Sequence, residues 1–127
     1  MADSSIVPAA QVRSVRQLVA WQRAMDLAVA VHRLSLTLPP FEKFELGSEM
    51  RRSGVSIPSN LAEGFGRHSR AAYRSHVGIA LGSSGELETQ LEIAFRLGYV
   101  KPDVAEEVVN TSGHVGRLLQ GLWVSLE

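Results

Sequence analysis

The sequence has 127 residues, with 45% hydrophobic and 20% charged residues, which is typical of one globular domain. It contains no cysteine, so disulfides and thiolate metal sites are excluded. Its 13 basic and 13 acidic residues give a formal net charge of zero, whereas a dedicated nucleic-acid binder is usually basic. No apolar run reaches the ~18 residues of a membrane span, and no signal-peptide pattern opens the sequence. We therefore expect a cytoplasmic protein.

The first helix is predicted after a polar start. Residues 1–16 show no sustained apolar period, so we expect a flexible tail, followed by a helical bundle at 17–127. From Leu18, apolar residues recur every three or four positions, and Pro39-Pro40 ends this helix near Leu38. Phe41 and Phe44 follow and are expected to cap one end of the core. The apolar face of the first helix consists of Leu18, Trp21, Ala24, Met25, Ala28, Val31 and Leu34.

The second predicted helix contains a proline. It runs from about Leu46 to Gly64, with Pro58 in its interior. Such a proline removes one backbone hydrogen bond and collides with the carbonyl four residues earlier, at a cost of ~3 kcal/mol. That earlier residue is Gly54, whose backbone can move aside. We therefore predict one helix that is kinked at Pro58.

The third and fourth helices complete the predicted fold. Gly64-Phe65-Gly66 is expected to form the turn, and Ser69 is a suitable N-cap for a helix that can run to Leu97. Gly98 suits the end of that helix, and Pro102 suits the first turn of the next one. No segment alternates as a strand does. The sequence therefore predicts an all-α, antiparallel up-down-up-down four-helix bundle, whose last helix buries Val104, Val108, Thr111, Val115, Leu118, Leu119 and Leu122.

Three glycines and two polar residues have a structural and a functional interpretation each. Gly78, Gly82 and Gly85 lie inside the third helix, where each costs roughly 1 kcal/mol relative to alanine. They indicate close packing, either within the bundle or against another subunit. Asn60 and Glu63 lie close to the apolar face of the second helix. We interpret them as a polar network that fixes the kink, with a catalytic carboxylate at Glu63 as the alternative.

A set of arginines is the remaining candidate site. Arg70 and Arg74 share a helical face, and Arg67 precedes them at the same corner. With Arg51 and Arg52 they could contact a phosphate backbone, and a ring of subunits would multiply such contacts. The alternative is a solvated corner with a few surface ion pairs. Since aromatic residues are scarce nearby, base stacking is poorly supported.

The sequence offers no pattern for catalysis, a metal or a cofactor. None of the four histidines follows a glutamate at the Glu-x-x-His spacing of di-iron bundles, and no His-x-x-x-His pair exists. Gly64-Phe65-Gly66-Arg67 lacks the spacing and the lysine of a phosphate loop. We therefore expect no enzyme, no cofactor, no metal site and no small-molecule substrate.

Several blocks resemble a known family. They are Leu18–Ala24, Arg51–Gly64 with its Ser-Ile-Pro-Ser-Asn core, Ile79–Ser83 and Glu86–Gln90. The chain from about Leu18 to Val100 resembles the four helix bundle protein family, which is also described as encoded in intervening sequences of bacterial 23S ribosomal RNA genes and as ribosomal-protein-like.

This resemblance implies an antiparallel four-helix bundle that assembles into a ring of five. A related branch, the accessory proteins of diversity-generating retroelements, binds nucleic acid and a reverse transcriptase through a basic ring. The zero net charge of this sequence departs from that branch. We therefore expect a non-enzymatic homo-oligomer that acts as a scaffold or adaptor, with binding of RNA or DNA, or of a nucleic-acid enzyme, as the alternative.

Overall fold

The computed structural model describes residues 12–127, which form four α-helices and contain no strand. The all-α prediction is therefore confirmed. Most of the tail predicted at residues 1–16 lies outside the described residues. Within 12–16, the Ser14 hydroxyl accepts a hydrogen bond from the Arg16 amide and caps a short 3-10 turn. The helices are α1 (Val19–Ser35), α2 (Leu46–Gly66), α3 (Arg70–Arg96) and α4 (Pro102–Ser125).

Each helix packs against two neighbours, in the cyclic order α1, α2, α3, α4. Every helix places large, fully buried apolar side chains in the shared core, and burial of each one stabilises the fold by about 1.5–3 kcal/mol. The antiparallel course of the four helices stays a prediction. The contacts between α2 and α3 agree with it, because Asn60 meets His76 whereas the earlier Ser56 meets the later Ser83. The largest fully buried side chains include Leu27, Met50, Ile57, Leu61, Leu87 and Leu119.

Helix α2 runs without interruption through the buried Pro58. Gly54, four residues earlier, lies against α1, where an added Cβ would be 3.6 Å from Ala28 and Val31. On the other side of the proline, the Asn60 side-chain amide donates to the carbonyl of Ser56 at 2.8 Å. This contact spans the proline with a hydrogen bond inside the same helix. The bend at Pro58 stays a prediction.

The turn between α2 and α3 differs from the predicted one. Gly64, Phe65 and Gly66 are helical, and the chain reverses just after them, where His68 has a φ of 57°. Gly64 instead lies against α3. An added Cβ would come within 2.7 Å of the His76 Cβ, which is closer than real Cβ atoms approach. The predicted turn was wrong because this glycine serves close helix contact rather than chain reversal.

The predicted start and end of α3 and the predicted start of α4 agree with the structure, whereas α1 ends at Ser35 rather than near Leu38. The Ser69 hydroxyl accepts from the Ala72 amide at 3.3 Å and caps α3. Gly98 has a φ of 74°, a conformation that favours glycine just after a helix. Pro102 is the first residue of α4. Within α4 the buried face is shifted slightly, because Val104 is exposed and Ala105 is buried in its place.

Aromatic residues join the loop before α2 to the loop before α4 at one end of the bundle. The Tyr99 hydroxyl donates to Glu42 at 2.9 Å, and this hydrogen bond raises the pKa of Tyr99. The Phe41 ring meets the Tyr99 ring edge-on at 6.3 Å. The prediction that Phe41 and Phe44 cap the core was wrong. Both rings lie largely in solvent, with Phe41 71% and Phe44 83% exposed, whereas Leu38 is buried in the core.

The approach of α2 to α3 generates a prediction about stability. Gly64→Ala should lower the free energy of unfolding by about 1–3 kcal/mol, since its Cβ would overlap His76 and the Tyr73 backbone. Gly66→Ala is the matched control, because a Cβ there meets nothing within 4 Å. That variant should be neutral or more stable. Denaturant unfolding of both variants measures the difference, and equal stabilities would contradict the assignment.

Candidate interaction surface

Arg51 holds the fold together rather than facing solvent. Its Nη1 donates to the Ser35 hydroxyl at 2.9 Å, and its Nη2 donates to the Lys43 carbonyl at 3.0 Å. Ser35 is fully buried at the end of α1 and donates in turn to the His32 carbonyl. A guanidinium suits this position because its fork of donors reaches two acceptors at once. Arg51 therefore ties α2 to the end of α1 and to the loop that follows.

Arg70 and Arg74 bind the last turn of α4. Arg70 donates to the Ser125 carbonyl at 2.7 Å, and Arg74 donates to the Trp123 carbonyl at 3.2 Å. The Arg74 guanidinium also lies 3.5 Å from the centre of the Trp123 ring and 3.5 Å from a Glu127 carboxylate oxygen. Carbonyls in the last turn of a helix have no partner within it, and positive groups stabilise that end. These two arginines thus cap α4.

The two other arginines of the predicted set are exposed. Arg67 pairs with Glu63 at 2.8 Å, and each of these side chains is more than half exposed. The hydrogen bond from Arg67 and its charge lower the pKa of Glu63. Arg52 lies on the outer face of α2. Three of the five arginines, Arg51, Arg70 and Arg74, therefore join parts of the fold. Three of the five, Arg52, Arg67 and Arg70, are exposed.

Asn60 belongs to a polar network between α2 and α3, whereas Glu63 lies outside it. The Asn60 Oδ1 lies 3.1 Å from the His76 Nδ1, and its Nδ2 also donates to the Ser56 hydroxyl at 3.0 Å. That hydroxyl hydrogen-bonds to the Ser83 hydroxyl at 2.8 Å. These bonds satisfy polar groups at a close helix contact, which explains them structurally. The sequence analysis missed His76 and Ser83, which occur on the next helix.

The three glycines of α3 fall into two kinds. Gly78 packs within the chain, because an added Cβ would lie 2.7 Å from the Trp123 ring. Arg74, one helical turn before Gly78, lies over the same ring. Gly82 and Gly85 are exposed, and a Cβ at either position meets nothing within 4 Å. No contact within residues 12–127 requires a glycine at these two positions. Ile79, beside them on α3, is 50% exposed.

A groove between α1 and α2 exposes much apolar surface. Its volume is about 540 Å³, and Pro58 forms part of its floor. Met25 and Val29 are exposed along α1, and Val55, on α2, is 54% exposed. The sequence analysis did not predict this groove: it placed Met25 on the apolar face of the first helix, whereas Met25 is 39% exposed in the structure. The groove is lined by Trp21, Met25, Ala28, Val29, His32, Arg33, Val55, Pro58, Ser59 and Ala62.

Two further classes of site are not found in the part of the chain that the structure describes. No group of three or more His, Asp or Glu side chains in residues 12–127 could hold a metal ion. Within that range no helix combines the length and the hydropathy that crossing a bilayer requires.

Comparisons with known proteins agree with this fold. Residues 16–121 match the family model described as 23S rRNA-intervening sequence protein. A crystal structure of a protein of unknown function from the S23 ribosomal protein family of Bacteroides thetaiotaomicron is 29% identical, with a TM-score of 0.78 over 84% of this chain and 96% of that one. No curated protein matches. With four helices in the expected order and a family match over most of its length, this chain belongs to the 23S rRNA-intervening sequence protein family.

Proposed function

We propose that this protein is a non-enzymatic bundle that assembles with copies of itself and acts as a scaffold or adaptor. The observation that supports self-assembly is the apolar groove between α1 and α2, with Val55 at 54% exposure. Exposed apolar side chains that line a groove are typical of an interaction site. A ring of five subunits is the assembly that the family resemblance implies.

The side chains on the surface support a binding role rather than catalysis. Asn60 and His76 form the hydrogen-bonded pair that most resembles a catalytic arrangement, but both residues serve the contact between α2 and α3. Glu63, the one carboxylate considered for catalysis, is exposed and paired with Arg67. The lining of the groove is mostly aliphatic, with His32, Arg33 and Ser59 as its polar members. The groove is suited to another protein surface.

Self-assembly predicts a mass above that of one chain. Light scattering at micromolar concentration should give a multiple of 13.8 kDa that persists at high salt, because apolar burial drives the contact. Val55→Glu should reduce the mass to that of one chain, since it places a charge in the groove. Val124→Glu, at an equally exposed position on α4, is the matched control and should assemble normally. A monomeric wild-type protein would contradict the proposal.

Nucleic-acid binding is the second candidate, and the turn between α2 and α3 favours it. Arg67, His68 and Arg70 are all exposed there, and a ring would repeat this basic corner in every subunit. Against this role, the guanidinium groups of Arg70 and Arg74 already donate hydrogen bonds to carbonyls of α4. A partner for this corner would be RNA, DNA or an enzyme that acts on them.

The arginines allow this candidate to be separated from a structural role. Arg74→Gln should lower the free energy of unfolding by about 1–3 kcal/mol, because it removes the cap and the ring contact at Trp123. If RNA binds, the double variant Arg52→Gln/Arg67→Gln should weaken retention on RNA at low salt while leaving stability nearly unchanged. Absence of any retention of the wild-type protein at low salt would rule out the nucleic-acid role.

A further inference from the structure

Resting on the proposed self-assembly, we propose which surface of a second copy occupies the groove. The occupant is the outer strip of α3, defined by Ile79, Gly82, Glu86 and Ile93. These residues lie on one face of the helix, at spacings of three, four and seven. All four are exposed, so the strip faces away from the bundle core. The contact is therefore between the α1–α2 groove of one copy and the α3 strip of the next.

Shape supports this pairing. The groove is concave and rimmed by Met25, Val29 and Val55, whereas the strip is a single exposed helix surface. Gly82 lies in the strip one helical turn after Ile79, and an added Cβ there would meet nothing within 4 Å, so another backbone could approach closely. Glycine lowers the stability of a helix interior, and nothing within residues 12–127 compensates for it at this position. Ile79 and Ile93, on either side of Gly82, supply apolar surface for the groove.

Charge supports the same pairing. The ionisable side chains that line the groove are His32 and Arg33, and its lining contains no carboxylate. Glu86 is the charged residue of the strip and forms no ion pair with any of residues 12–127. The acidic side chains nearest to the groove in sequence, Asp26 and Glu63, already have arginine partners. Glu86 of one copy would therefore meet Arg33 of the next.

The alternative pairings between two copies are less favourable. A groove against a groove would bring together two Arg33 side chains, and a strip against a strip would bring together two Glu86 side chains. Like charges placed opposite each other disfavour both contacts. Groove against strip uses two different surfaces of the chain. Such a heterologous contact repeats from copy to copy and closes into a ring when the rotation allows it.

A glycine substitution tests the strip without disturbing the bundle. Gly82→Gln should leave the helix content unchanged and reduce the mass to that of one chain, because a Cβ there has open space within the protomer. Gly121→Gln is the matched control, since Gly121 is also an exposed helical glycine with nothing within 4 Å. It should keep the wild-type mass. If wild type assembles and Gly82→Gln does so equally, the strip is not the occupant, although self-assembly stands.

Mixing two deficient variants tests the pairing itself. Val55→Glu retains an intact strip, and Gly82→Gln retains an intact groove. Each should be monomeric alone, and together they should form a one-to-one complex of twice 13.8 kDa that cannot grow further. Two variants that stay monomeric in the mixture would overturn the groove-to-strip contact. A monomeric wild-type protein would instead overturn the proposed function on which this inference rests.

A charge exchange tests the ion pair across the contact. Arg33→Glu and Glu86→Arg should each weaken assembly by at least tenfold in the dissociation constant, because each places like charges opposite each other. The double variant should recover most of the wild-type affinity, since it restores an opposite pair. Sedimentation of the four proteins measures these constants. A double variant that assembles no better than the single ones would overturn the assignment of Glu86 and Arg33.

Discussion

The close approach of α2 and α3 at Gly64 is the contact on which the rest of the bundle depends. It lets the His76 side chain lie directly against the α2 backbone, where a Cβ would overlap it. The same helix contact brings Asn60 to His76 and Ser56 to Ser83. The polar network then fixes the position of one helix along the other. Hydrogen bonds do this because they require a defined direction, whereas apolar contacts do not. Pro58 is tolerated within this tightly held helix.

Charge in this protein serves structure more than its sequence pattern suggests. The basic stretch that includes Arg51, Arg70 and Arg74 is typical of a surface for an anionic partner. In the fold, the acceptors of these side chains are backbone carbonyls and a buried hydroxyl. A cation that binds the end of a helix satisfies carbonyls that would otherwise have no partner. Local charge density therefore gives little indication of function in a chain with several helix ends close together.

The sequence was sufficient to predict four helices and an all-α fold, but not the surface. The apolar period, Ser69, Gly98 and Pro102 predicted the helices and most of their ends, because these signals are local. The turn after α2 and the placement of Phe44 could not be predicted, since both depend on what packs across the core. Gly78, Gly82 and Gly85 look alike in sequence. They differ in whether the Trp123 ring packs against them, and Trp123 lies far along the chain, on α4.

The exposed Phe44 has a consequence for any ring of such subunits. In a cyclic assembly every protomer points the same way, so the two faces of the assembly differ in chemistry. One rim would carry Phe41 and Phe44 from each copy, with the loops joined through Tyr99. The opposite rim would carry the turn with Arg67 and His68, beside the end of α4. Such an assembly would be chemically two-sided, with aromatic rings exposed on one face and basic side chains on the other.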